Sequence, residues 1–206
     1  NTPPVPKSIA IYEEGSVYEQ QPALYALKKN ADEYNTGKDI VTASKNIRIA
    51  VLADDYMEGS SNTLGVYSMK LYLDDELQAS WMLDDIDFDE SRYVNAFADY
   101  RIKEEKSQWY QTLYRTQGNH ISNYTFLNKD NGELNISDGQ SHSIHIELSD
   151  AAGNVSHIRA NIAATAITKS PAATCNTWKA GKPYEIKTSL FSFKADAASL
   201  YDDICF

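Results

Sequence analysis

The side chains with which this chain could hold a metal are four histidines, two cysteines and a surplus of carboxylates. His142 and His145 stand three residues apart in SHSIHIELS. On an extended strand an odd separation turns two side chains to opposite faces, so this pair cannot grip one ion. His157 belongs to a second alternating run. The expected register sets it across from Glu147 and sets His145 across from Arg159, which is ordinary cross-strand pairing on a solvated face. His120 sits beside the Gly118-Asn119 turn with no acidic or histidine neighbour in sequence. No zinc site is expected among these residues.

The carboxylates come closer to a motif. Asp85, Asp87 and Asp89 have the alternate spacing that opens an EF-hand loop, but Glu90 replaces the turn glycine and Ala96 replaces the closing glutamate. Alternation with Ile86 and Phe88 instead reads as the wet side of a strand. A weak surface calcium site on these aspartates, or on Asp54 and Asp55, is the one cation site the spacing leaves open. Nucleophile elbows, phosphate loops, HExxH and paired CxxC motifs are absent, so no catalytic, cofactor-binding or metal-ligating residue is assigned. Tyr67, Trp81, Trp109, Tyr110 and Trp178 are the rings available to stack on sugars. Trp81 alternates in phase with Leu77, Ala79 and Leu83, which makes it core; Trp109 stays open as a ligand residue.

The elements that must position these groups are strands. Ile144, Ile146 and Leu148 alternate with polar residues, and so do Ile158, Ala160 and Ile162. Their apolar sets share a face only if partner positions sum to an even number. A loop of Ala151, Ala152 and Gly153 closed by Asp150 and Asn154 meets that condition, with glycine at the left-handed position. Tyr67–Leu73 and Leu77–Leu83 form a second hairpin around Asp74-Asp75-Glu76, with the same even-sum rule. Ile47–Ala53 and Tyr124–Leu127 are further strands, and Leu134 and Ile136 begin another. Ile9–Tyr12 and Val17–Tyr18 read as short edge strands about a Glu14-Gly15 turn, and Asn30–Lys38 reads as polar connector. From Asp89 the period changes: Tyr93, Val94, Phe97 and Tyr100 fall at helical spacing, with Asp87 and Glu90 as a capping box. Trp109, Tyr110, Leu113 and Tyr114 fit either a strand or a continuation of that helix. Tyr184–Phe193 and Leu200–Phe206 read as strands of a second, incomplete module.

Composition bounds the rest. Of 206 residues 42% are hydrophobic and 11% aromatic, enough for a sizeable core. A net charge of −10 argues against nucleic acid and anionic membrane, since phosphate binding needs a positive field. No apolar run is long enough to span a bilayer as a helix. Cys175 and Cys205 could bridge in an exported protein or stand as two independent thiols. The opening NTPPVPKS reads as an interdomain linker, and the closing SLYDDICF ends without a turn, so both ends are expected to be cut from a longer polypeptide.

NTPPVPKSIAIY, ADDYMEGSSNTLGVYSMKLYLDDE, DIDFDESRYVNAFADY, the Gly118-Asn119 turn, ELSDAAGN and LYDDICF together resemble the region that follows the catalytic domain in lysostaphin-type zinc metallopeptidases of Bacteroidota, the murein endopeptidase family. The zinc of that family is held by HxxxD and HxH motifs in the preceding domain. Neither occurs here, so no catalytic residue carries over. The resemblance implies an exported protein of the periplasm or cell surface and a parent enzyme that cuts peptidoglycan. This chain is then expected to be a mainly β, Ig-like or fibronectin-III-like antiparallel sandwich over residues 1–165 with a short helical insertion. Residues 166–206 would be a linker and the start of a second β module. Its expected role is non-catalytic: positioning or regulating the catalytic domain, or docking an envelope partner. The zinc would lie in the parent catalytic domain, and the partners would be that domain, a further Ig-like module, and peptidoglycan or an envelope protein. The other expectation is a carbohydrate- or peptidoglycan-binding module that uses exposed aromatics.

Overall fold

The computed structural model describes residues 2–13, 21–57, 59, 62–165 and 176–205. In chain order the strands are β1 (Val5–Glu13), β2 (Ala23–Ala26), β3 (Lys28–Asn30), β4 (Glu33–Asn35), β5 (Ile40–Thr42) and β6 (Asn46–Tyr56). There follow β7 (Thr63–Leu64), β8 (Ser68–Leu73), β9 (Glu76–Met82), β10 (Tyr110–Thr112), β11 (Tyr124–Leu127) and β12 (Leu134–Asn135). The last are β13 (Ser141–Ser149), β14 (Val155–Ala164), β15 (Thr177–Trp178), β16 (Tyr184–Lys187), β17 (Ser192–Ala195) and β18 (Ile204–Cys205). A helical insertion lies between β9 and β10: a 3-10 segment Phe88–Tyr93, α1 (Val94–Phe97) and α2 (Tyr100–Lys106). The chain is mainly β.

Two sheets enclose one core. The first runs β10-β6-β1-β2, with β7 and β12 also on β6; the second runs β11-β9-β8-β13-β14-β4-β3, with β5 also on β14. Ile9, Ile11, Ile47, Ile49 and Val51 from the first meet Met69, Leu71, Trp81, Ile144, Ile146, Leu148 and Ile158 from the second, all essentially without solvent exposure. Each such aliphatic side chain contributes roughly 1.5–3 kcal/mol by leaving water. Trp81 is core, as its phase requires, and meets Phe97 edge-on at 4.9 Å.

The β13–β14 hairpin follows the expected register throughout, from Ser149↔Val155 to Ser141↔Ala163, with Gly153 at φ +87°. The β8–β9 hairpin keeps the even sum only as far as Leu71↔Ala79. A bulge then shifts it to Tyr72↔Leu77 and Leu73↔Glu76, because the turn is two residues, Asp74 and Asp75, both at positive φ.

Several expectations are corrected. β1 is no edge strand: it lies between β2 and β6. Both its faces are buried, Ile9 and Ile11 in the main core, Ala10 and Tyr12 in a second cluster with Ala50, Ile102, Tyr110 and Tyr114. The helical insertion supplies that second cover. Val17–Tyr18 and the Glu14-Gly15 turn lie outside the described residues. Asn30–Lys38 is not simple connector, since β3 and β4 turn at Ala31-Asp32 and β4 then runs parallel to β14. Asp85 and Asp87 lie off any strand and Asp89 falls in the 3-10 segment. Asp87 does cap that segment, but its Oδ1 accepts from the Asp89 N–H rather than entering a box with Glu90. The helix breaks at Ala98, which bridges to Gln111, and Asp99 starts it again by accepting the Ile102 N–H at 3.0 Å. Tyr110–Thr112 is strand, antiparallel to β6.

Tyr184–Phe193 is not one strand. It is the β16–β17 hairpin, turned through Thr188–Phe191, while β15 pairs with β18. Residues 198–202 lie against the helical insertion and the Gly118 turn: Arg92 Nη2 donates to the Ala198 carbonyl, Tyr201 Oη to the Arg92 carbonyl, and the Gly118 N–H to the Tyr201 carbonyl at 2.8 Å.

Candidate functional site

The β15–β18 and β16–β17 pairs bring four aromatic rings, Trp178, Tyr184, Phe191 and Phe193, to one surface. Trp178 and Tyr184 stack with centroids 5.0 Å apart at 22°, and Phe193 meets Trp178 edge-on at 5.9 Å. With Ile186, Phe191 and Ile204 they line a shallow cavity of about 440 Å³ that contains one polar residue, Ser192. Phe191 is 55% exposed, Phe193 45% and the neighbouring Leu190 92%. The Trp178 indole N–H donates to the Lys182 carbonyl, which fixes one ring edge. The backbone makes this patch: alternation in β16 and β17 turns Ile186 and Phe193, directly paired, to the same side as Tyr184.

The other candidate rings divide. Trp81 and Tyr110 are buried, and the Tyr67 hydroxyl donates to Asp84. Trp109 is half-buried and lines a cleft of about 550 Å³ with Lys7, Asp54, Leu64, Gln108 and Gln111. Of the rings that the sequence offers for sugar stacking, the patch holds Trp178. Tyr184 and Phe193 join it, and the signal for them in the sequence is that each stands beside a charged residue and so marks an apolar strand face.

Among the carboxylates, Asp54 pairs with the Lys7 ammonium and accepts the Tyr56 hydroxyl, and buried Asp55 accepts the Tyr56 N–H. Among the described residues neither these aspartates nor Asp85, Asp87 and Asp89 converge as three metal donors; His145, Glu147 and His157 do. His142 faces the core side, as its phase demands, and is held by Asp74 at 2.6 Å and Asp138 at 2.9 Å. The Asp74 hydrogen bond, reinforced by Asp138 and opposed by burial, raises the His142 pKa above the ordinary histidine range. Burial, followed by the Arg159 guanidinium, lowers that of His145, which keeps this imidazole neutral at pH 7. The expected pairings His145↔Arg159 and Glu147↔His157 are present. Directly opposed pairs do not reveal that His145 and His157 are diagonal neighbours, close enough for long side chains to meet.

Cys205 is disulfide-bonded; Cys175, the only other cysteine of the sequence, lies outside the described residues. No helix among the described residues is long and apolar enough to cross a membrane. Comparison with protein-family models, with characterised proteins and with solved structures gives no match to this chain.

Proposed function

We propose that this chain is a non-catalytic carbohydrate-binding module whose ligand is an envelope glycan of the peptidoglycan or capsule class. The observation that supports it is the apolar surface made by half-buried Trp178 and Tyr184 with exposed Phe191 and Phe193. One face of a pyranose ring is a layer of C–H groups, which packs on an indole or phenol ring through dispersion and the ring's negative π-face. A concave apolar patch with few polar groups suits such a ligand. The net charge of −10 disfavours nucleic acid as the alternative stacking partner.

In this reading the two sheets are an Ig-like or fibronectin-III-like sandwich that carries the aromatic patch, and the chain serves as the accessory region of an exported peptidoglycan hydrolase. The disulfide at Cys205 favours an oxidising compartment and so supports export.

Retention on insoluble peptidoglycan tests the proposal. Each stacked ring contributes roughly 0.5–1.5 kcal/mol, so Trp178→Ala should weaken retention about 2- to 12-fold. Phe193→Ala should act in the same direction, and Trp109→Ala should leave retention unchanged. Wild-type protein that washes off freely, or retention lost with Trp109→Ala and kept with Trp178→Ala, would count against the patch.

A further inference from the structure

The outer face of the second sheet carries two rows of polar side chains across four strands. One row runs Tyr72, His145, Arg159, Asn35 and the next Lys70, Glu147, His157, Glu33, each in direct register with its neighbour. Across these rows the His145 and His157 rings lie nearly parallel, centroids 5.3 Å apart at 29°, with His145 Nε2 only 3.1 Å from His157 Nδ1. A Glu147 carboxylate oxygen completes a set of three donors, all within 4.8 Å of one another. We propose that His145, Glu147 and His157 bind a divalent transition-metal ion of the zinc class.

The distances support it. An ion bonded to two imidazole nitrogens at about 2.0–2.1 Å in a tetrahedral shell holds them about 3.3 Å apart. The 3.1 Å found here is already that edge of the tetrahedron, so small ring rotations complete it. Tyr72 stacks on the other face of His145, centroids 5.3 Å apart at 19°, and restricts the ring before any ion arrives. Strand register does the same for the backbone, since Glu147 and His157 are a directly opposed pair. All three donors are half-buried, open enough to be reached and dry enough to hold an ion.

The surrounding charges permit a cation. Arg159 is drawn off by Glu33, Nε to Oε1 at 2.8 Å, and Lys70 and the Tyr72 hydroxyl both approach Glu147 through Oε2. The ion would then take Glu147 through Oε1. The bound ion would need the proton of His145 on Nδ1 and that of His157 on Nε2, so that both facing nitrogens offer lone pairs. Two imidazoles and one carboxylate select zinc, nickel or copper over calcium and magnesium. A fourth position remains for water or for a donor from a bound partner.

Titration of the full chain with Zn²⁺ by calorimetry, and with Co²⁺ followed by its visible d–d absorption, tests the site. One ion per chain is expected, with the stronger d–d intensity of a tetrahedral ion and no displacement by excess Ca²⁺. His145→Ala and His157→Ala should each weaken binding at least about tenfold, because losing even an outer-shell partner costs roughly that much. His157→Gln serves as a second variant with little change of volume, and circular dichroism checks that each variant folds. His120→Ala, in an exposed loop, should bind as the wild type does. No saturable binding would overturn the assignment. So would equal affinity in the double variant His145→Ala/His157→Ala, or displacement of Zn²⁺ by Ca²⁺, which would mark adsorption to surface carboxylates; the His145–His157 contact would then be a plain hydrogen bond between the two rings.

Discussion

Gly118→Ala tests whether residues 198–202 are held against the Gly118 turn and β6. A β-carbon on Gly118 would stand 2.0 Å from the Leu200 carbonyl oxygen, 2.8 Å from Tyr201 Cα and 3.0 Å from the Leu200 carbonyl carbon. All three are backbone atoms, so no side-chain rotation relieves the clash and the segment must withdraw. Withdrawal breaks the 2.8 Å bond from the Gly118 N–H to the Tyr201 carbonyl, worth about 1 kcal/mol. It also separates Arg48 from Asp202, whose side chains approach to 3.4 Å and are 25% and 12% exposed, worth about 1 kcal/mol more. A loss of about 2 kcal/mol lowers the midpoint of a chain this size by roughly 4–8 °C. Thermal unfolding followed by circular dichroism reads the shift, and amide exchange at Tyr201 and Asp202 reports whether the segment has lifted. Gly65→Ala is the control: nothing lies within 4 Å of its added carbon. At such a site alanine stabilises by about 0.4–1 kcal/mol through the unfolded chain. Should Gly118→Ala melt within about 1 °C of Gly65→Ala with unchanged exchange, the close approach of the two backbones does not hold the segment.

The remaining predictions concern the core and pH. Tyr12 is fully buried, and its hydroxyl donates to Asp99 Oδ2 at 2.6 Å, so burial first and then Tyr114 and the Asp99 carboxylate push its pKa far up. Tyr12→Phe is expected to cost roughly 1.5–3 kcal/mol in urea denaturation, as for a hydrogen bond to a charged group. Asp99→Ala costs about 1 kcal/mol beyond that by removing the α2 cap, and a double-mutant cycle should show the two positions strongly coupled rather than additive. Around His142 the signs oppose each other. The raised His142 pKa gives stability that is full below the unfolded histidine value and lost as pH rises through the folded one. The lowered values of Asp74, held chiefly by His142, and of Asp138, held chiefly by the Gln140 N–H, give stability lost as pH falls through their folded values. Stability should therefore peak between the acid limb of the aspartates and the alkaline limb of His142. With Asp74 half exposed, the Asp74–His142 pair adds about 0.5–1 kcal/mol. A wild-type minus His142→Ala difference no larger at pH 5.5 than at pH 8.5 would contradict this assignment.

Local pattern decided the parts of the fold in which one face meets core and the other meets water. Ile144, Ile146 and Leu148 against Ile158 and Ile162 admit one register once Gly153 takes the left-handed position, and the structure has that register. The same alternation placed Trp81 inside. It failed where tertiary cover changes what a face means. β1 reads as marginal because Ala10 and Tyr12 give little contrast with Ile9 and Ile11; only its pairing between β2 and β6 and the cover that Ile102 of α2 gives its second face make it central. β3 and β4 carry so few apolar residues that no period is visible, and they exist as strands because β14 offers β4 an edge. The two candidate sites differ in the same way. The charged–apolar alternation around Tyr184 and Phe193 marks an apolar face in the sequence, but that Phe191 and Phe193 are exposed there while Trp178 and Tyr184 are half-buried is decided by tertiary packing. For His145 and His157, register fixes only that they are diagonal. That the rings lean together rather than apart depends on Tyr72 stacked behind His145 and Glu33 drawing Arg159 aside. Periodicity records which side of a strand a residue occupies, whereas the direction its side chain takes is set by neighbours on other strands, far away in sequence.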